Sequence, residues 1–227
     1  MINVIPRWFR PFAASLRRLT LQGPVTWTRS IFARCFRLKA RCAPLCIQAL
    51  SGKRGLEIGG PSLVFSRNGI VPVYPVLVSL DNCNFAAATV WSGQMQEGAE
   101  FFYDPNRPAG RHFIREATNL TGIGAASYEV ILASHVLEHL ANPLAALAEW
   151  RRVLSPEGFL LLVVPHRDAT FDHRRPITPL SHLLEDQQKG VGEDDLTHVE
   201  EVLRLHDLWL DPTTDTFDNF RARCLRN

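Results

Sequence analysis

Runs of apolar and polar positions divide the chain into short strands and one strong helix. In Gly55-Leu-Glu-Ile-Gly-Gly-Pro-Ser62, Leu56 and Ile58 flank Glu57, as in a strand that ends in a glycine turn. Pro61-Ser62 has the chemistry of a helix start, since proline suits the first turn and serine suits caps. Val71–Leu80 is apolar and β-branched, but Pro72 and Pro75 restrict the regular strand to about Val76–Leu80, ending at Asp81. His112–Arg115 reads as another short strand, with Glu116 at its end. Tyr128–Ala133 is the clearest strand, and Ser134-His135 follow it. Leu144, Leu147, Trp150, Arg151 and Leu154 recur at helical spacing across Pro143–Leu154, with Asn142 placed as cap. Ser155–Gly158 breaks that helix, and the fully apolar strand Phe159–Val164 runs to Pro165.

Strands alternating with helices imply parallel pairing with both sheet faces covered. The expected fold is α/β: a Rossmann-like open, mostly parallel sheet flanked by helices, in the order β-α-β-α-β-α-β-α-β over about residues 54–165. The expected division is a basic helical extension over 1–50, an α/β core over 51–165 and a helical or loop segment over 166–227. In the extension, Ile31, Phe32, Cys35, Phe36 and Leu38 fall near helical spacing. The tail carries helical patterns near Pro179–Gln188 and Leu196–Leu208 and no convincing strand pair, so C-terminal antiparallel strands are expected to be missing. The last core strand would then be an apolar edge, which invites pairing with another chain and so a homodimer.

Composition narrows the setting. A chain of 227 residues with 46% hydrophobic content can bury a full core. No run of eighteen or more apolar residues occurs, so no transmembrane helix is expected. The five cysteines are odd in number and form no CxxC pair. Reduced thiols in a cytoplasmic compartment are the expected state, and Pro44 between Cys42 and Cys46 argues against a zinc knuckle. The net charge of +2 hides an asymmetry: no acidic residue precedes Glu57, while eleven arginines and lysines do. Such an arm suits an anionic surface, and equally a solvated helical face packed on an acidic domain.

Polar residues gather at the carboxyl ends of the expected strands: Glu57, Asp81, Glu116, Ser134 with His135, and His166. That edge is where ligands bind in open α/β sheets. An acid after the second strand can accept both hydroxyls of a ribose, through charged hydrogen bonds worth about 1.5–3 kcal/mol each. Tyr128–Pro143, Leu147–Gly158 and Phe159–Val164, in that order, closely resemble the class I S-adenosylmethionine-dependent methyltransferases. The match is to the bacterial group with a Ser-His-x-Leu-Glu-His signature, and it covers about half the chain. The resemblance implies S-adenosyl-L-methionine as cofactor. It implies that Glu57, Gly59, Gly60, Pro61 and Ser62 form the methionine-side loop and that Asp81, with Asn82 beside it, meets the ribose. Glu116 and Ala117 would flank the adenine, and Ser134 and His135 would line the methyl-transfer site. Two departures stand out: Gly59-Gly60-Pro61-Ser62-Leu63 lacks the later glycines of the family's Gly-x-Gly-x-Gly loop, and the terminal hairpin is absent.

His135-Val-Leu-Glu-His139 also matches an inverted zinc-peptidase pattern. That motif needs both histidines on one helical face, whereas His135 is expected at a strand end, so no metal is expected. Methyl transfer needs in-line placement of the acceptor and, for a hydroxyl acceptor, a base. His135, His166 and His173 are the candidate bases, and Phe171–Pro176 carries arginines suited to an anionic or sugar-like acceptor. The expected function is methyl transfer to a small-molecule or glycan acceptor, at oxygen. The alternatives are a cofactor-binding or scaffolding module without turnover, and a nucleic-acid methyltransferase supported only by the basic arm.

Overall fold

The computed structural model describes residues 39–89, 93–211 and 216–225. The helical pattern expected around Ile31–Leu38 lies outside them, as does most of the basic arm. The described chain forms two compact units.

The larger unit holds residues 39–164 and 180–193. Its elements are α1 (Ala43–Leu50), β1 (Arg54–Ile58), β2 (Ser79–Asn84), β3 (Ala88–Thr89), β4 (Gly93–Gln94), β5 (Glu100–Phe101), β6 (Gly110–Ile114), β7 (Tyr128–Ser134), α2 (Pro143–Val153), β8 (Leu154–Val163) and α3 (Leu180–Lys189). Six strands form one sheet in the order β5-β6-β2-β1-β7-β8, while β3 and β4 pair separately. Every pair in the sheet is parallel except β5 with β6. Among the described residues no strand follows β8, which is left at the sheet edge with Phe159 and Leu160 exposed.

Strand alternation builds a core on each face. Leu56, Ile58, Cys83, Ile131 and Ala133 face one side, against Ala146, Trp150 and Val153 of α2. Leu80, Val130 and Leu132 face the other, against Leu50 of α1 and Phe65, Val71, Val73, Tyr74 and Leu77. Asn142 caps α2, its Oδ1 accepting from Ala145 N at 3.0 Å.

Three expectations are corrected. Pro61-Ser62 opens no helix: residues 59–78 run through turns to a short 3-10 segment at Tyr74–Val76. Pro61, Pro72 and Pro75 each remove a helical N–H donor, and the segment still lays five apolar side chains on the sheet. The second strand starts and ends later than its prolines suggested, so Asp81 sits mid-strand rather than at its end. The crossover from β6 to β7 is also irregular. Side chains of α2 satisfy its backbone, with Trp150 Nε1 donating to Ala117 O at 2.9 Å, Arg152 to Ile123 O at 2.9 Å, and Glu149 accepting from Leu120 N at 2.8 Å. Only α2 links consecutive parallel strands as a full helix, so the expected strict alternation of strand and helix does not hold.

The smaller unit holds residues 165–179 and those from 194 onward. Its helices are α4 (Val199–Leu205) and α5 (Phe217–Cys224), the second of which carried no clear sequence pattern. A polar cluster holds it together. The His206 ring stacks on Phe220 at 4.1 Å and lies 4.6 Å from Phe171. Its Nε2 donates to buried Asp211 at 3.1 Å, which Arg223 also meets at 2.7 Å. No helix among the described residues is long and apolar enough to cross a membrane.

Candidate active site

Beside β1 the strand order reverses: the chain runs outward through β2 and β6 on one side and through β7 and β8 on the other. Such a switch point, at the carboxyl ends of parallel strands, leaves a crevice between diverging loops. The loops after β1, β2, β6 and β7 all open there.

The loop after β1 is rigidly built. Gly59 adopts φ +79°, and a Cβ on it would come within 2.6 Å of Val136 Cγ2, so only glycine lets these two loops touch. A Cβ on Gly60 would strike the Glu57 carboxylate. Glu57 is fully buried and accepts from Tyr74 Oη at 2.5 Å and from Ser62 N at 3.2 Å. Burial pushes its carboxyl up to about 7, even though the bonds from Tyr74 and Ser62 favour the charged form. The backbone donors of the loop are taken internally. Gly59 N donates to Cys83 O at 2.8 Å, Gly60 N to Asn82 Oδ1 at 3.0 Å, and Ser62 N also to Tyr74 Oη at 2.8 Å. Pro61 has no N–H. The loop shapes the crevice with these backbone donors already engaged.

On β2, side chains alternate between the faces. Asp81 pairs in register with Leu56, Asn82 with Glu57 and Cys83 with Ile58. Asp81 therefore lies on the face opposite Glu57, and both its oxygens are engaged, by Arg111 N at 2.8 Å and Tyr128 Oη at 2.7 Å. Asn82 is fully buried and brackets the Gly60 peptide, its Nδ2 returning a bond to Gly60 O at 3.1 Å. That bracket fixes the amide, so the second Nδ2 hydrogen points to His112 Nδ1 at 3.1 Å, and His112 must accept there. His112 is thus neutral with its proton on Nε2, and burial lowers its pKa in the same sense. A cavity of about 490 Å³, lined by Met95, Gln96, Ala99, Glu100 and His112, opens on this side. Asn84 ends the strand, and its Nδ2 also donates to Gly60 O, at 3.0 Å.

After β6, burial raises the Glu116 carboxyl, with Glu193 adding to the effect, and Ala117 is buried beneath Trp150. After β7, Ser134 is buried and His135 turns the chain at φ +56°, a left-handed conformation unusual for a residue with a Cβ. The turn exposes 54% of the His135 side chain and puts Nδ1 3.4 Å from Glu138 Oε1. It also presses Val136 onto Gly59. The structure thus gathers Glu57, Gly59, Gly60, Pro61, Ser62, Asn82, Glu116, Ala117, Ser134 and His135 on strand ends of one unit and sets Asp81 apart on the other face.

The other two histidines belong to the smaller unit. His166 is exposed and caps a 3-10 turn, its Nδ1 3.3 Å from Asp168 N. His173 Nε2 donates to buried Asp207 at 3.2 Å, which Arg174 also meets at 2.9 Å.

A family model described as a methyltransferase domain matches residues 27–208. The chain belongs to that family. Class I methyltransferases of this kind use S-adenosylmethionine. No curated protein matches the chain. Among solved structures, the methyltransferase domain is similar to the trans-methyltransferase CalH complexed with SAH, at 18% identity over 56% of this chain and 37% of that one, TM-score 0.36. An arsenic(III) S-adenosylmethionine methyltransferase from Chlamydomonas reinhardtii shows 16% identity over 50% of this chain and 39% of that one, TM-score 0.34. The YcgJ protein of Bacillus subtilis shows 16% identity over 81% and 82%, TM-score 0.39. The chain thus spans about two fifths of the length of the first two.

The residues present fit the cofactor of the family. Gly59 and Gly60 allow close backbone approach, and the short polar side chains of Ser62, Asn84 and Ser134 stand at or just beyond the ends of β1, β2 and β7. Sequence reasoning missed Tyr74 and Asn84. Tyr74 lies between two prolines and gave no periodic signal, since its partner is 17 residues away. Asn84 was legible in principle, because it shares the alternation of Asn82.

Proposed function

We propose that this methyltransferase domain moves the methyl group of S-adenosylmethionine to a hydroxyl of a small-molecule or glycan acceptor. The observation that carries the proposal is the contact of the Gly59 turn with the strained His135 turn. It brings an exposed imidazole beside the loop that the family uses for the methionine end. Non-glycine residues held at positive φ cluster at functional sites, because the surrounding structure must compensate their strain.

The cofactor supplies an activated methyl group. The chain's own residues need only hold the acceptor in line and take its proton. With Nδ1 turned toward Glu138, the His135 Nε2 lone pair is available to the acceptor hydroxyl. His135 Nε2 would take the hydroxyl proton as the acceptor oxygen receives the methyl group that the bound cofactor would supply. Ser134 and Ser62 offer hydroxyls to the methionine end, and Glu116 with Ala117 flanks the adenine. Glu57 and Asn82 act from behind by fixing the loop.

Calorimetric titration of the full chain with S-adenosylmethionine tests the cofactor assignment, and complete lack of binding would sink it. Labelled methyl transfer to a panel of hydroxylated metabolites and glycans tests the acceptor class. Label found only on nitrogen or nucleic acid acceptors would refute the oxygen reading.

A further inference from the structure

We propose that Leu180–Glu193 is a strap that fastens the loop carrying His135, with Asn142 as its clasp. The inference rests on His135 as the base in the reading above and deepens it by naming what holds that residue's loop.

The strap is built to hold a loop rather than to fill a core. The chain on either side of it belongs to the smaller unit, so within the tail only residues 180–193 join the larger one. No residue of α3 is buried, and Leu180 and Leu184 are exposed, so apolar burial contributes little to its attachment. Three hydrogen bonds join the strap to residues 141 and 142. Asn142 Nδ2 donates to Asp186 O at 3.2 Å and to Val191 O at 3.4 Å, and Glu193 Oε1 accepts from Ala141 N at 3.3 Å. Asn142 is buried, and its Oδ1 already accepts from Ala145 N. Both amide hydrogens are therefore directed at the strap, since a reversed amide would set its oxygen against two carbonyls.

The other end of the same loop is fixed by backbone. His135 N donates to Val163 O at 2.9 Å, and His139 N closes a 3-10 turn on Val136 O at 2.9 Å. None of residues 136–141 is fully buried, so the setting of the loop depends on its two ends. The strap supplies the second end. Glu193 also lies close enough to Glu116 for its charge to help raise that carboxyl, so the strap reaches the loops after both β6 and β7. An element held by few buried contacts opens at low free energy, which lets the strap release and refasten the loop without unfolding the sheet.

Asn142→Asp separates the two roles of that side chain. One carboxylate oxygen still caps α2, while the other faces the carbonyls of Asp186 and Val191. Amide hydrogen exchange on the full chain should quicken about tenfold at Ala141 and over residues 186–193, the size of one lost hydrogen bond, with α2 unchanged. The imidazole resonances of His135 should shift in Asn142→Asp and in Glu193→Ala, and return in Glu193→Gln, which keeps the acceptor for Ala141 N. On the acceptor panel above, kcat should fall about tenfold in Asn142→Asp and Glu193→Ala and recover in Glu193→Gln, with S-adenosylmethionine affinity unchanged. Should Asn142→Asp fail to fold, Glu193→Ala against Glu193→Gln makes the same comparison at an exposed position. Wild-type exchange at Ala141 and 186–193 in Glu193→Ala, or His135 resonances that respond to neither variant, would overturn the assignment. Failure of the wild type to bind S-adenosylmethionine would instead remove the reading beneath it, while the exchange result on the strap would still stand.

Discussion

Glu57 offers the sharpest test of how the glycine loop is held. Its carboxyl titrates at about 7 in the folded chain, against 4.5 when solvated. At about 1.36 kcal/mol per pH unit, that difference is worth about 3 kcal/mol. The sign follows from the raised folded value: between those pH values the native state holds the proton more tightly than the unfolded chain. The contribution is fully present below about 4.5 and lost as pH rises through 7. Glu57→Gln keeps the shape and removes the titration. The unfolding free energy of Glu57→Gln minus that of the wild type should therefore rise by about 3 kcal/mol between pH 4.5 and 8. Urea titrations across that range measure it, and the subtraction cancels His112 and other groups common to both chains. The carboxyl carbon resonance of Glu57 gives the midpoint directly. Tyr74→Phe removes the 2.5 Å donor while leaving the burial, so the midpoint should move higher still. A flat difference between the variants, or a midpoint below 5, would show that water reaches Glu57 and that the loop is not held as described.

Other substitutions separate holding from chemistry. Asn82→Ala leaves Gly60 N without its acceptor, while Gly60 O keeps the bond from Asn84, and should cost about 1–3 kcal/mol in urea unfolding. His135→Gly should stabilise the chain by about 1 kcal/mol, by relieving a residue at φ +56°, yet lower methyl transfer by about 10²–10⁴-fold with cofactor affinity unchanged. Opposite signs in stability and turnover are the signature sought, and a fall in both would argue for a purely structural His135. Trp150→Ala should cost about 3–5 kcal/mol and speed amide exchange across residues 117–123, whose backbone it helps hold.

The parallel sheet was legible because its strands are apolar runs bounded by turns: Tyr128–Ser134 and the helix Pro143–Val153 lie within a residue of where periodicity put them. What periodicity could not give was the work done by irregular chain. Residues 59–78 cover one face of the sheet with Phe65, Val71, Val73, Tyr74 and Leu77, a burial pattern with neither helical nor strand period. The site was less legible for the same reason. Family resemblance pointed to the acid after the second strand, and Asp81 is the nearest acid in sequence. The end of the apolar run at Leu80 made the strand seem to stop there, but it continues to Asn84. A shift of three residues reverses the face, so the carboxylate that looks placed for a ligand is spent on Tyr128 and Arg111. The two asparagines that share a face of β2 with each other carry no charge to mark them. Their meaning comes from Gly60, whose single carbonyl they share, and a shared backbone acceptor has no signature in a one-dimensional pattern.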